Sequence, residues 1–181
     1  MVHCGTIRCS ARILTGVSGT ERFVIGSGPL EIHRLVGMVE GAARTHGEGC
    51  GAVCTFVGIV RATHQGRAVR YLTYDAYVPL ALKVFARIGD EAVRQWPTAV
   101  LALHHRIGRL EIGEASVAIA AAAAHRAESF SVCRYAIERV KQVAPIWKHE
   151  YFEGGDAWIE GAVADPEDER MRQAALERAC A

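Results

Sequence analysis

The chain has almost no net charge: 21 Lys and Arg against 20 Asp and Glu leave +1 over 181 residues. That balance excludes a global attraction to nucleic acid or to an acidic membrane, so any preference for anions must be local. Long apolar runs are missing as well. The most apolar stretch, Ala115 to Ala124, is short and alanine-rich, far from the ~20 residues that span a bilayer, and a soluble, cytoplasmic protein is expected. Six cysteines (Cys4, Cys9, Cys50, Cys54, Cys133, Cys180) make no C-x-x-C pair and stand at no zinc-finger spacing from a histidine. Reduced thiols and no metal site follow. Neither the G-x-S-x-G of a serine hydrolase nor the glycine fingerprint of a dinucleotide fold is present, so covalent catalysis by this chain is not indicated.

What is present is half hydrophobic, enough for one domain with a real core. Glu21 to Gly26 reads as a strand, with a helix opening at Pro29 and running through Leu30, Leu35 and Ala42 to about Gly47. Gly51 to Val60 is glycine-fenced and rich in β-branched residues, the pattern of a strand buried on both faces. Val69 to Tyr77 alternates as a second strand, and Pro79 opens a helix with a stripe of Ala81, Phe85, Ile88, Ala92 and Trp96 that Pro97 stops. Ala99 to Ile107 is strand-like, Gly108 to Gly113 a tight connection, and Ala115 to Ala123 a small-residue strand. A long helix from His125 carries a stripe of Phe130, Cys133, Ile137, Val140 and Ala144. Short strands over residues 146–152 and 157–162 flank a Glu-Gly-Gly-Asp turn. The interleaving lacks strict strand-helix alternation, which gives an α+β fold.

Chemistry concentrates at Lys141-Gln-Val-Ala-Pro-Ile-Trp-Lys-His-Glu150. Proline cannot continue a helix and biases Ala144 to an extended conformation, so Lys141 and Lys148 lie on different elements and can converge on one anion. A lone lysine there would only complement the helix dipole, but the second lysine and the Trp, His and Glu beside it argue for a pocket. Arg61 ends the buried strand with a planar fork suited to phosphate. His125-Arg126 opens the long helix, where free backbone N–H groups and two cationic side chains suit an anion. His104 and His105 point to opposite faces of a strand, cannot share a metal, and read as structural.

These residues fall into four ordered motifs: Gly51-Ala-Val-x-Thr-Phe-Val-Gly-x-Val-Arg61, His105-Arg-Ile-Gly-x-Leu-x-x-Gly-Glu114, Ala124-His-Arg126 and Lys141-x-x-x-Pro-Ile-Trp-Lys-x-Glu150. From about Phe23 to Gly161 the chain resembles the large, catalytic subunit of molybdopterin synthase, the MoaE family. The resemblance implies an α/β hammerhead-type fold with an additional small antiparallel sheet. It implies a sulfurtransferase of molybdenum cofactor biosynthesis that needs no cofactor or metal. The sulfur would come from the C-terminal Gly-Gly thiocarboxylate of a small ubiquitin-like sulfur-carrier subunit and go to cyclic pyranopterin monophosphate, making the molybdopterin dithiolene. A homodimer of this chain would stand at the centre of a heterotetramer.

Carried over by position, the resemblance makes Lys141 and Lys148 catalytic and adds Ile59, Val60, Arg61, His125, Arg126, His149 and Glu150 as substrate-binding residues. Lys141 would shuttle protons or transiently accept the glycine acyl group and Lys148 would orient the thiocarboxylate, or the two lysines would exchange these roles. Ala62 and His149 depart from the residues usual in the family at those places. Residues 1–20, without a counterpart there, are expected to be a disordered extension, residues 21–164 the family domain, and residues 165–181 a charged tail with helical potential. A non-catalytic module that binds a phosphorylated ligand and scaffolds a partner would use the same basic pocket. Arg126 and Lys141 are fifteen residues apart on one helix, about 22 Å at ~1.5 Å per residue. No pterin monophosphate bridges that distance, so a shared site would take His125-Arg126 from a second copy of the chain.

Overall fold

Alanines set the layering of the molecule. In the computed structural model, which describes residues 22–45, 49–159, 161 and 165–181, β7 (Ala115–Ala123) lies inside a four-stranded sheet. Its companions are β1 (Phe23–Gly26), β2 (Ala52–Ile59) and β5 (Val100–Arg106), in the order β1-β5-β7-β2. Only the β1–β5 pairing is parallel. Because alternate side chains leave opposite faces of a strand, Val100, Ala102, Ala118, Ala120 and Ala122 meet Leu35, Val39 and Ala43 of α1 (Ile32–Ala43). Leu101, Leu103, Ile119, Ala121 and Ala123 face the other way, towards α2 (Val78–Gln95) and α3 (Arg126–Val143). Methyl side chains on both faces let the helices approach closely. The expected N-terminal extension over residues 1–20 falls outside the described residues.

A second sheet, antiparallel throughout, carries β3 (Thr63–His64), β4 (Arg67–Ala76), β6 (Gly108–Glu111), β8 (Ile146–Phe152) and β9 (Gly155–Ile159). The path is β3-β4-β8-β9, with β6 paired to β4 beside Tyr71 to Tyr74. The α+β class and the additional antiparallel sheet are as the sequence led us to expect.

Several local expectations change. Gly108 to Glu111 is a strand rather than a connection, because its backbone completes the β4 edge. β2 is an edge strand whose side chains are half-buried or exposed, not a strand enclosed on both faces. α1 begins after Glu31, so Pro29 precedes the helix, and β9 begins earlier than the apolar pattern suggested, at Gly155. On α3, Phe130 is 62% exposed, and the buried side instead includes Ser129, Val132, Cys133, Ala136, Arg139, Val140 and Val143. A hydrophobicity pattern misplaces that stripe because one of its members is an arginine.

Arg139, fully buried, forks onto Glu91 of α2, with Nε donating at 3.0 Å and Nη2 at 3.1 Å, while the Tyr135 hydroxyl donates to the same carboxylate at 2.7 Å. Nη1 donates to Gln142 and Nη2 also to the Pro166 carbonyl. Burial alone would raise the Glu91 pKa, but the bonds from Arg139, Tyr135 and Arg87 outweigh it and hold it below the usual range. The network joins α2, α3 and the segment leading into α4 (Glu169–Cys180), a helix capped by Asp168 that buries Ala175 and Ala179 against α3.

Removing one partner of a buried pair strands the other, which costs about 3–5 kcal/mol. Glu91→Ala should therefore lower Tm by about 10 °C, measured by thermal unfolding, and a shift within 2 °C of wild type (a small fraction of that figure, on the order of 1 kcal/mol or less) would show that the pair is not load-carrying.

Candidate functional site

The end of α3 builds the site. Pro145 closes the helix, Ala144 is extended (φ −77°, ψ 126°), and the chain turns directly into β8. Lys141 thus sits on the last helical turn, exposed, with Ile137 one turn before it. On β8 the two-residue period puts Lys148 and Glu150 on one face and Trp147, His149 and Tyr151 on the other. Lys148 pairs in register with Tyr74, and Glu150 with Leu72. Helix end and strand enclose two adjoining cavities of about 340 and 230 Å³, and Lys141, Lys148, Tyr74, Val117 and Ile137 line both.

The smaller cavity is the more polar. Arg61, Thr63, His64 and Glu150 line it together with Ile59 and Val60. Val60 is buried against Leu72 and Leu110, whereas Ile59 is exposed and Arg61 reaches solvent. Gly58 stands at a bulge in the β2–β7 pairing, where an added Cβ would lie 2.7 Å from the Val117 side chain. A side chain at residue 58 would press on Val117, which lines the same cavity as Arg61. Glu150 is only 3% exposed. Its Oε1 accepts from the Lys148 ammonium at 2.5 Å, and its Oε2 lies 2.6 Å from Nδ1 of His64. Burial would raise the Glu150 pKa, but the bonds from Lys148 and His64 prevail and hold it below the usual carboxylate range. The site thus combines a fixed anion with a paired amine and a second amine for which no partner is seen in the described ion pairs. Such a set can bind an anionic substrate and move a proton.

The remaining expected residues lie elsewhere. His125 and Arg126, both exposed, sit at the start of α3, an unbroken helix, and line neither cavity. His149 faces away from Lys148: its ring stacks on Trp158 at 4.3 Å, and Nε2 bonds Asp156 at 2.5 Å. The strand alternation that brings Lys148 and Glu150 inward sends His149 outward. Sequence reasoning overlooked His64 and Tyr74. It took His105 for a structural residue, yet His105 lines the larger cavity. The single clue to His64 was the Gln65-Gly66 pair after it, a turn signal that fixes the strand end.

Comparison with known proteins bears on this geometry. The model of the family described as MoaE protein matches residues 27–143. The molybdopterin synthase catalytic subunit of Halalkalibacterium halodurans is 43% identical over 140 residues, 77% of this chain and 86% of that protein. The subunit of the same name from Bacillus subtilis is 42% identical over 139 residues, 77% and 85% of the two chains. Among solved structures, molybdopterin synthase from Staphylococcus aureus superposes with a TM-score of 0.72 at 36% identity, covering 78% of this chain and 98% of that one. A complex of subunits 1 and 2 of molybdopterin-converting factor from Helicobacter pylori gives 0.62 at 26% identity, covering 77% and 90%.

His105 also leaves a signature in stability. Burial pushes its pKa from 6.5 down to about 4, only partly offset by the bond from Nδ1 to the Arg106 carbonyl at 2.7 Å. The unfolded chain takes up this proton near pH 6.5 while the folded protein refuses it until about pH 4. Stability is therefore complete above the first value and falls towards the second, by as much as about 3 kcal/mol. Denaturant unfolding of His105→Gln should show a shallower decline over that window than wild type, and an unchanged slope would place the proton uptake on other groups.

Proposed function

The chain belongs to the MoaE protein family, and from that premise we propose that it is the catalytic subunit of a molybdopterin synthase, a cytoplasmic enzyme that transfers sulfur in molybdenum cofactor biosynthesis. The sulfur donor is the thiocarboxylate at the Gly-Gly tail of a small ubiquitin-like subunit, and the acceptor is cyclic pyranopterin monophosphate. The observation that carries the reading is the convergence of Lys141 and Lys148, from a helix end and a strand, on the same two cavities. Arg61 and Lys141 supply cationic groups for the phosphate, Lys148 orients the thiocarboxylate, and Lys141 carries protons. A sulfur that arrives on a partner needs no activated thiol in this chain. In keeping with that, Cys133 is buried and its thiol pKa raised, chiefly by desolvation.

A small-subunit partner is supported by the two-subunit complex among the similar structures. A narrow tail without side chains suits the approach to Lys148, whose amine is partly buried between the two cavities. His125 and Arg126 lie a full helix length from Lys141, about 22 Å, and in this reading they serve the active site of a second copy. A homodimer with two composite sites, capped by two small subunits, is the assembly that satisfies that geometry.

Purified chain mixed with thiocarboxylated small subunit and the cyclic monophosphate should yield the dithiolene. Tight binding without turnover would identify a non-catalytic module instead. Lys141→Ala should reduce kcat by at least about a hundredfold without loss of solubility, since an exposed lysine beyond the buried face of α3 contributes little to packing. Arg61→Ala should raise KM for the pterin and leave kcat largely recoverable at high substrate. A small subunit lacking its last two residues should support no transfer.

A further inference from the structure

His64 belongs to no part of the function described so far, yet it touches the buried carboxylate beneath Lys148. Glu150 divides its two oxygens, Oε1 to the Lys148 ammonium at 2.5 Å and Oε2 to His64 Nδ1 at 2.6 Å. An ionised carboxylate only accepts hydrogen bonds, so Nδ1 of His64 carries the proton whatever the state of the other ring nitrogen. The hairpin that holds His64 is tight. Gln65 and Gly66 both have positive φ, 49° and 78°, and His64 pairs with Arg67 to close a two-residue turn. The histidine therefore approaches Glu150 from β3, on the far side of β4 from β8, while Lys148 approaches along β8.

We propose that His64 is a positioning residue for the sulfur-transfer reaction, fixing the Glu150 carboxylate so that Lys148 presents its amine to the cavity in one orientation. A carboxylate bonded only to Lys148, two residues away on the same strand, is free to rotate about its side chain and to draw the ammonium along the strand. With the second oxygen anchored from a different element, both side chains are held. The proposal rests on the reading of this cavity as the transfer site.

The test compares wild type with His64→Ala and His64→Asn, the asparagine amide standing where Nδ1–H stands. In the dithiolene assay His64→Ala should lower kcat about tenfold with KM for the pterin within about twofold, the loss expected for one hydrogen bond to a charged group. His64→Asn should recover most of it. Independently of turnover, acylation of the Lys148 amine by a succinimidyl ester, followed by mass spectrometry, should rise several-fold in His64→Ala and not in His64→Asn. An unchanged kcat, a rise in KM alone, no recovery by asparagine, unaltered Lys148 labelling, or unfolding of both variants would each overturn the proposal. If wild type itself forms no dithiolene, the functional reading fails, and the labelling contrast alone decides the positioning.

Discussion

The break in the chain at Ala144-Pro145 is the constraint on which the site depends. A helix continuing past residue 144 would carry Lys148 seven residues beyond Lys141, two turns further on and about 10 Å along the same axis. Proline forbids this, and the extended Ala144 sends the chain into β8. The strand joins the second sheet beside β4, with Lys148 and Glu150 facing the cavity that Lys141 overlooks. Two amines that the sequence separates by a short peptide are brought together by a change of secondary structure, not by a long-range contact.

The rest of the fold holds that junction still. Arg139, on the turn before Lys141, is fixed by Glu91 and Gln142, so the last turns of α3 cannot swing away from α2. The alanine-rich β7 admits α3 closely to the main sheet, and the second sheet supplies the opposite wall through β4 and β8. Polarity is graded across the site. One cavity is walled by Val140, Ala144, Ile146 and Ile159, the other by Arg61, His64 and Glu150, and the two lysines stand between. That gradient suits an arrangement in which a lean peptide and a charged heterocycle meet at the amines.

Much of this was legible in the sequence. The proline-interrupted lysine pair, the arginine just past β2 and the order of the longer strands and helices all follow from local patterns, and the stripe that the α2 spacing marks out, from Ala81 to Trp96, is buried in full. Failures occurred where a tertiary partner overrides the local rule. Arg139 is buried because Glu91 lies opposite it, forty-eight residues earlier, so the apolar pattern assigned Phe130 to the core and missed the true face. β6 is a strand because β4 has an open edge. His64 meets Glu150 across eighty-six residues of sequence, and no spacing rule connects them. His149 enters the expected site through the family resemblance of its motif, although the period of a strand separates it from Lys148 and Glu150.

The central claim is that Lys141, Lys148 and Arg61 act at one end of α3 while His125 and Arg126 act at a neighbouring copy's site. Subunit mixing tests it directly. Chains carrying His125→Ala with Arg126→Ala are combined with chains carrying Lys141→Ala, each inactive alone, under conditions where subunits exchange. The account predicts recovered sulfur transfer, because each mixed dimer holds one site with both defects and one with neither. No recovery in a mixture shown to contain mixed dimers would contradict it and assign the two clusters to different ligands.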